Sequence, residues 1–379
     1  MIFTLEALRA NQGDALLLHY GPNDAPLLAV IDGGPGGIYK RWLRPRLEEL
    51  RASRSPDAPL PLQLLAVSHI DGDHIQGVLD LLGQVARERD DGRDPTFDVL
   101  ALWHNSFEDV VGGAGPAAVP SAVEALSTSA TARAAGLSEP ARLLVASINQ
   151  GRKLRDLVAS LGLDVNRPFD GTVTAPRQVD WGDGLRFEVV GPDEKRLSDL
   201  QKRWQRHVSK AKPDEATVAS YIDQSVYNLS SIVVLATYRR KKMLLTGDAR
   251  GDDILAGLRG AGLLKRAPLR VDILKLPHHG SDRNVETEFF RQIVADHYVV
   301  SADGTDDNPE IATLRMISEA REDDDFALHL TNREGKKDIG RRLAEFEKQE
   351  RRRGRKYEIR YPGDDESGLK VDLLDPLPD

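Results

Sequence analysis

Histidine and aspartate side chains are concentrated in one short segment directly after an apolar run. The run Leu64–Val67 has the character of a buried strand, and positions 69–74 after it read His-Ile-Asp-Gly-Asp-His. Potential ligands this close in sequence cannot all face one side of a strand, so the chain must turn and fold them around a common point. Imidazole and carboxylate bind divalent first-row metals, and two ions roughly 3.5–4 Å apart can cleave a phosphoryl or acyl centre. The segment therefore predicts a metal site with room for two ions.

Two later apolar runs also end in residue types that bind metals. Met243–Thr246 leads to Asp248, and Val271–Leu276 leads to His278 and His279. In an open α/β sheet, strand ends along one edge form the ligand crevice. Either pattern alone is weak evidence, and the alternative for the first segment is a polar turn between a strand and a helix. Three strand ends of this kind, in this order, favour one shared metal centre.

The spacing of apolar residues predicts alternating strands and helices around these segments. Strands are predicted over residues 2–8, 15–20, 27–31, 62–67, 97–103, 185–190, 231–238, 242–246, 271–276 and 297–302, and helices over 39–51, 75–85, 252–259 and 310–319. Alanine, serine and leucine dominate from about 110 to 165 with helical periodicity. This stretch predicts a helical insertion that could form a lid or the contact surface of a homodimer.

The composition is that of an ordinary globular protein, with 40% hydrophobic and 30% charged residues among 379. The chain has no cysteine, so disulfides, thiolate ligands and cysteine nucleophiles are excluded and the chemistry must use His, Asp and oxygen. A formal net charge of -8 argues against a protein that coats nucleic acid. Basic segments at 202–207, 239–242 and 351–356 leave local phosphate binding open, although each can equally be a solvated face.

The location of the protein follows from what its sequence lacks. No apolar stretch approaches the roughly 20 residues that a membrane-spanning helix needs. The first residues show neither a basic n-region nor a sustained apolar h-region, so no secretory signal is visible. We therefore expect a cytoplasmic protein without a membrane partner.

The chain resembles the metallo-β-lactamase superfamily, and most closely the hydrolase domain of the DNA-uptake protein ComEC. The matching segments are Asn11–Ala15, Ile31–Gly34, Ser68–Gly77, Asn228–Leu235, Leu244–Ala249 and Val271–Ser281. The resemblance spans residues 1 to about 305 and implies an αββα sandwich and a hydrolase domain over that range. The helical insertion over about 110–165 and the C-terminal tail lie outside the resemblance. We expect residues 306–379 to form a charged extension that packs on the same domain.

The resemblance also implies a role for each candidate ligand. His69 and Asp71 would face the first metal ion, Asp73 and His74 the second, and Asp248 would bridge both. His279 would complete the second site, with His278 as the alternative. Asp32 would orient the ligands through hydrogen bonds, unless it is merely an exposed turn residue. The family's third-motif histidine has no counterpart, because Asn228 or Ser230 occupies that region.

The substitutions in the motifs bear on the metal and on the catalytic groups. Asp71 and Asn228 in place of imidazoles harden the site, which favours Mn²⁺ with Zn²⁺ a close second. Asp73, as both ligand and proton acceptor, could orient the attacking hydroxide. His104 could line the pocket or be a structural histidine. Lys275 could stabilise an oxyanion, although strand alternation leaves its direction open.

Three functions are compatible with these residues. The ComEC-like motif favours a phosphodiesterase or nuclease that uses metal-activated water on nucleic acid or a nucleotide. The same centre could instead hydrolyse a small ester, thioester or lactam. The absent third-motif histidine motivates a third possibility, a binding module whose metal site is partly degenerate.

Overall fold

The computed structural model describes residues 1–106, 139–199, 202, 230–322, 324–355 and 357–378, with the backbone alone for residues 139–148. Asn228, the rest of the first basic segment after Lys202, and the predicted insertion up to residue 138 lie outside the described residues.

The first sheet combines both ends of the chain. Its strands are β1 (Ile2–Leu8), β2 (Leu16–Gly21), β3 (Leu27–Ile31), β5 (Leu64–Ala66), β7 (Leu102–Trp103) and β16 (Gly368–Asp372). Their order is β16-β1-β2-β3-β5-β7. The strands from β16 to β3 pair antiparallel, whereas β3, β5 and β7 run parallel. A separate parallel pair is formed by β4 (Leu60–Leu62) and β6 (Phe97–Val99).

The second sheet is formed by the later half of the chain. Its strands are β8 (Arg177–Gly182), β9 (Leu185–Gly191), β10 (Val233–Tyr238), β11 (Lys241–Leu245), β12 (Leu269–Lys275), β13 (Ile293–Val300), β14 (Ala327–Leu330) and β15 (Glu358–Arg360). They lie in the order β15-β14-β13-β12-β11-β10-β9-β8. The strands from β11 to β15 are parallel, so their carboxyl ends meet at one edge.

Helices cover the outer face of each sheet. They are α1 (Arg44–Arg54), which a π-helical turn Tyr39–Leu43 precedes, α2 (Gly72–Asp90), α3 (Glu139–Leu161), α4 (Gly251–Gly260), α5 (Thr287–Gln292), α6 (Ile311–Ala320) and α7 (Ile339–Arg352). The helix α3 belongs to the predicted insertion and packs on α2. None of the helices in the described ranges is both long and apolar enough to cross a membrane.

Three apolar clusters separate four layers of structure. In β1, Leu5 and Ala7 belong to the cluster between the two sheets, whereas Leu8 belongs to the cluster under α1, α2 and α3. A third cluster lies between the second sheet and α4 to α7, and includes Leu274 and Phe346. This period-two division of side chains gives each sheet two buried faces. The αββα sandwich predicted from the sequence is therefore confirmed.

Two element boundaries next to the ligand-rich segment differ from those predicted. The predicted strand 97–103 is divided into β6 and β7, which pair with different partners, because the chain steps from one sheet to the other at Leu100. The helix predicted from residue 75 begins at Gly72. Asp71 caps it, since its carboxylate accepts a hydrogen bond from the Gly72 N–H at 3.2 Å.

Candidate metal centre

The ligand-rich loop lies where β5 passes into α2. His69 is in the loop, whereas Asp73 and His74 are in the first turn of the helix. The turn before β2 touches the same place, because a Cβ on Gly13 would come within 1.9 Å of the Asp73 carbonyl oxygen. Only glycine allows this approach. The sequence around Gly13 therefore serves to bring the first hairpin against the metal-binding loop.

Asp32 holds this loop through hydrogen bonds to Ser68 and His74. It has a φ of 59°, a left-handed conformation that non-glycine residues rarely adopt. Its carboxylate accepts hydrogen bonds from the Ser68 N–H and Ser68 hydroxyl, both at 2.7 Å, and from His74 Nδ1 at 2.8 Å. Its side chain is only 1% exposed. Asp32 thus fixes the His74 ring with Nε2 turned toward the centre.

Four histidines converge on the carboxylate of Asp248. The Oδ1 atom of Asp248 lies 3.4 Å from His74 Nε2 and 3.5 Å from His279 Nε2. The Oδ2 atom lies 3.8 Å from His69 Nε2 and 3.7 Å from His278 Nε2. Asp248 therefore divides the four imidazoles into two pairs, one on each oxygen. This is the position that a carboxylate shared by two metal sites would take.

Asp73 joins the first of these pairs. Its two oxygens lie 3.8 Å from His74 Nε2 and 3.6 Å from His279 Nε2. The side chain of Asp73 is 25% exposed, whereas that of Asp248 is 4% exposed. Asp73 is thus a cluster carboxylate that solvent or a substrate can reach.

The hydrogen-bonding pattern of one pair indicates where a cation would bind. His279 Nδ1 donates to the Ser301 carbonyl at 2.9 Å, and His74 Nδ1 donates to Asp32. Both Nδ1 atoms therefore carry the hydrogen, and the two Nε2 lone pairs face each other at 3.2 Å. Two lone pairs at this distance repel unless a proton or a cation lies between them. The donor set and its geometry therefore fit a bound divalent metal ion.

The pKa shifts of the cluster have the same origin. Burial lowers the pKa of His279, but the charges of Asp248 and Asp14 outweigh it and raise that pKa to about 9. Burial likewise opposes the charged form of His74, yet Asp248 and Asp32 hold its pKa well above the usual value. The pKa of His69 falls to about 4 through burial and the neighbouring His74. The negative charge of the carboxylates thus favours a cation, either a proton or a metal ion, at the imidazole nitrogens.

Asp14 and Lys275 form a buried ion pair beneath the centre. Each side chain is 1% exposed, and Asp14 Oδ1 lies 3.6 Å from His279 Nδ1. Burial raises the pKa of Asp14, but the charges of Lys275 and His279 outweigh it, so the net shift is downward. Lys275 therefore points into the protein, toward Asp14, and does not face the crevice.

The structure brings together most of the residues that the sequence singled out. The groups close enough to share an ion, among the described residues, are drawn from Asp14, Asp32, His69, Asp73, His74, Asp248 and His279. Asp71, His104 and His278 belong to none of them, although His278 lies 3.7 Å from Asp248. The backbone N–H and carbonyl of His104 bond to Asn166, at 2.8 and 2.7 Å, which ties β7 to the segment after α3.

Some participants were not identified by sequence reasoning. Asp14 lies in a matching segment, and its acidic side chain in a glycine turn was the available signal. Ser301 contributes a backbone carbonyl, which no side-chain pattern reveals. Ser231 and Asn284 hold the Asp248 and His278 loops through hydrogen bonds at 3.3 and 2.9 Å. Isolated Ser and Asn residues of this kind cannot be distinguished from ordinary turn residues in one sequence.

Comparison with known proteins finds remote structural likenesses only. No family model and no curated protein matches the chain. The Zn²⁺-bound PqqB of Methylobacterium extorquens has a TM-score of 0.40 and 10% identity, over 95% of this chain and 87% of that one. A point mutant of the CmlA β-hydroxylase has a TM-score of 0.36 and 11% identity, over 98% and 53%. A Parabacteroides distasonis protein, provisionally assigned as a metal-dependent hydrolase, has a TM-score of 0.31 and 8% identity, over 95% and 98%.

Proposed function

We propose that this protein is a metal-dependent hydrolase of the metallo-β-lactamase superfamily that cleaves phosphodiester bonds in nucleic acid or nucleotides. The observation that carries the proposal is the convergence of His69, His74 and His279 on the two oxygens of the buried Asp248 carboxylate. A site with imidazole nitrogens on both oxygens of a shared carboxylate suits two divalent ions. Such ions would lower the pKa of a bound water toward neutrality and polarise the scissile bond.

The residues of the chain have distinct tasks in this proposal. Asp248, His74 and His279 hold the centre and are almost completely buried, so they define its geometry. Asp73 is the partly exposed carboxylate, and it would orient the attacking water and accept its proton. Asp32 keeps His74 in the tautomer with a free Nε2. Lys275 acts through Asp14 and His279 and does not touch the substrate.

The ComEC-like resemblance supports a phosphodiester substrate, whereas the basic segments add little. Arg351, Arg353 and Arg355 pair with Glu347, Glu350 and Glu322, at 3.3, 3.1 and 3.0 Å. Lys241 pairs with Asp272 at 2.6 Å. Because exposed ion pairs are weak, this pairing neither creates nor excludes a phosphate-binding surface. The second candidate activity is hydrolysis of a small ester, thioester or lactam, which the same centre could perform.

A substrate panel separates these activities. Protein loaded with Mn²⁺ or Zn²⁺ is assayed on bis-p-nitrophenyl phosphate, a cyclic dinucleotide, single-stranded DNA, p-nitrophenyl acetate, a thioester and a lactam. We expect phosphodiester cleavage that Asp248→Asn abolishes. Turnover of the ester, thioester or lactam alone would replace the proposal by the second candidate. No turnover of any substrate by a metal-loaded protein would support a binding module instead.

A further inference from the structure

One of the two metal sites has too few ligands when the family pattern alone is applied. The second site has Asp73, His74 and His279 around Asp248 Oδ1. On the other side, His69 alone approaches Asp248 Oδ2 among the ligands that the resemblance assigns to the first ion. Asp71, the other residue so assigned, caps α2 through the Gly72 N–H. A third protein ligand for the first ion is therefore missing from the expected positions.

We propose that His278 supplies this ligand, so that the adjacent histidines 278 and 279 serve different metal ions. His278 Nε2 lies 3.7 Å from Asp248 Oδ2, and His69 Nε2 lies 3.8 Å from the same atom. Ligands on a tetrahedral ion, with bonds of about 2.1 Å, are separated by about 3.4 Å. Each nitrogen thus lies close to the spacing expected for a partner of Asp248 on one ion. The two imidazoles are not yet as close to each other as the ligands of the second site, so the rings would have to close around the ion when it binds.

The tautomer of His278 suits this role. Its Nδ1 lies 2.9 Å from the Asn284 Oδ1, which only accepts hydrogen bonds. Nδ1 therefore carries the hydrogen, and the lone pair is on Nε2, toward Asp248. His74 and His279 are prepared in the same way by Asp32 and by the Ser301 carbonyl. An acceptor behind a ligating imidazole is the usual support of a metal-bound histidine.

The backbone explains how neighbouring residues reach opposite sides of one carboxylate. His278 and His279 have φ values of 47° and 54°, so two consecutive non-glycine residues are left-handed. This conformation costs about 1–2 kcal/mol per residue and persists at functional sites. The His278 N–H also donates to the Gly247 carbonyl at 3.1 Å, which ties the turn to the Asp248 loop. The turn directs the two rings 76° apart, with centroids separated by 6.2 Å.

The assignment changes the expected metal. Each ion would have two imidazoles and a share of Asp248, and Asp71 would not contribute. Two nitrogen ligands per ion make the sites more borderline in character than the sequence suggested, which favours Zn²⁺ over Mn²⁺. The histidine absent from the family's third motif is thus replaced by one that directly precedes a second-site ligand. The proposed first site needs no ligand from residues 203–229.

The experiment counts bound ions and does not depend on turnover, although the inference rests on the proposed two-metal hydrolase. Purified apo protein is titrated with Zn²⁺ by calorimetry, and bound metal is counted by elemental analysis after desalting. The main variant is His278→Gly, because glycine accepts the positive φ and offers no ligand. The matched control is Asp71→Asn, which preserves the helix cap and removes the carboxylate. A second variant, His278→Asn, guards against misfolding, because asparagine tolerates the same backbone conformation.

We expect the wild type and Asp71→Asn to bind two ions each. We expect His278→Gly to retain one ion after desalting, because its affinity for the first-site ion falls at least tenfold. In Co²⁺-loaded protein, the loss of one imidazole would also alter the visible d–d absorption of one site only. Two ions in His278→Gly with unchanged affinity would overturn the inference, as would a loss of one ion in Asp71→Asn alone. The proposed function has its own test. If wild type binds two metal ions but hydrolyses none of the panel substrates, the function is wrong while the assignment of His278 stands.

Discussion

A buried polar cluster on the first sheet and the metal centre, to which both sheets contribute, differ in whether their charges balance. On the outer face of the first sheet, Glu6 accepts hydrogen bonds from Arg46 Nε at 2.9 and 3.1 Å and faces His19 Nε2 at 3.2 Å. Arg54 Nη2 approaches His19 Nδ1 at 3.1 Å. We call these four residues the Glu6 network. Together with Glu49, which also accepts a hydrogen bond from Arg46 at 2.7 Å, it contains two arginines and two carboxylates, so it needs no external ion.

The metal centre has the opposite arrangement. Around Asp248 the imidazole nitrogens turn their lone pairs inward, and Asp32, Asp73 and Asp14 add further negative charge nearby. Lys275, the buried cation at this end, is committed to Asp14. Burial is equally deep in both clusters, so burial of polar groups alone does not identify a site. The centre is distinguished by converging imidazole lone pairs and carboxylates whose negative charge no nearby lysine or arginine of the described residues neutralises, apart from Lys275, which pairs with Asp14.

The largest expected effect is that of removing the shared carboxylate. Asp248→Asn keeps the volume but withdraws the charge between the two imidazole pairs, so neither ion should bind tightly. We expect turnover to fall by at least about 10³-fold, since bound metals supply several kcal/mol of transition-state stabilisation. Rates on the best panel substrate, with bound metal counted in parallel, test this. Retention of both ions and of the rate would show that Asp248 is not the bridge.

The Glu6 network should respond in the opposite way. Glu6→Gln removes the buried carboxylate partner of Arg46, which is 5% exposed, and leaves it the solvent-exposed Glu49. Breaking a buried ion pair from one side typically costs about 3–5 kcal/mol. We therefore expect a lower free energy of unfolding in denaturant melts and an unchanged number of bound ions. A variant that lost metal with little loss of stability would contradict the division between the two clusters.

A smaller effect is expected from the residue that orients His74. Asp32→Asn retains a carbonyl oxygen that can accept from Ser68 or His74 but removes the negative charge behind the imidazole. Changes of this kind typically cost about 10–100-fold in metal affinity or activity. Calorimetric Zn²⁺ titration measures the loss. An affinity equal to that of wild type would mean that Asp32 only supports the loop.

The sequence predicted the parts of the site that depend on local pattern. Apolar runs that end in Asp248 and His279 were readable because the strands are buried and their ends carry the polar residues. The role of Lys275 was not readable, because strand alternation leaves its direction open and its partner Asp14 lies in a turn of the other sheet. The pairing of β16 with β1, at the two ends of the chain, is likewise invisible to periodicity. Long-range contacts, and a helix cap such as the one that Asp71 gives α2, need coordinates.

The smallest expected effect is a pH dependence of stability that arises in the Glu6 network. Burial, opposed by Glu6, lowers the pKa of His19 from 6.5 to about 4, and the pKa of Glu6 is also lowered despite its burial. A histidine whose folded pKa is depressed stabilises the fold fully above its unfolded pKa. That stability is lost as the pH falls from about 6.5 toward 4. Glu6 adds a loss in the same direction below its unfolded pKa of 4.5.

The apo protein should therefore become progressively less stable below about pH 6.5. His19→Gln, which has no titrating group, should flatten the part of this curve that lies between pH 6.5 and 4. The free energy of unfolding of wild type and variant is measured by urea melts at half-unit pH steps, with chelator present. The histidines of the metal centre titrate in both proteins, so the difference between the two curves gives the contribution of His19. Identical slopes in that window would show that His19 does not take up a proton on unfolding, and that the two clusters do not differ in the way described.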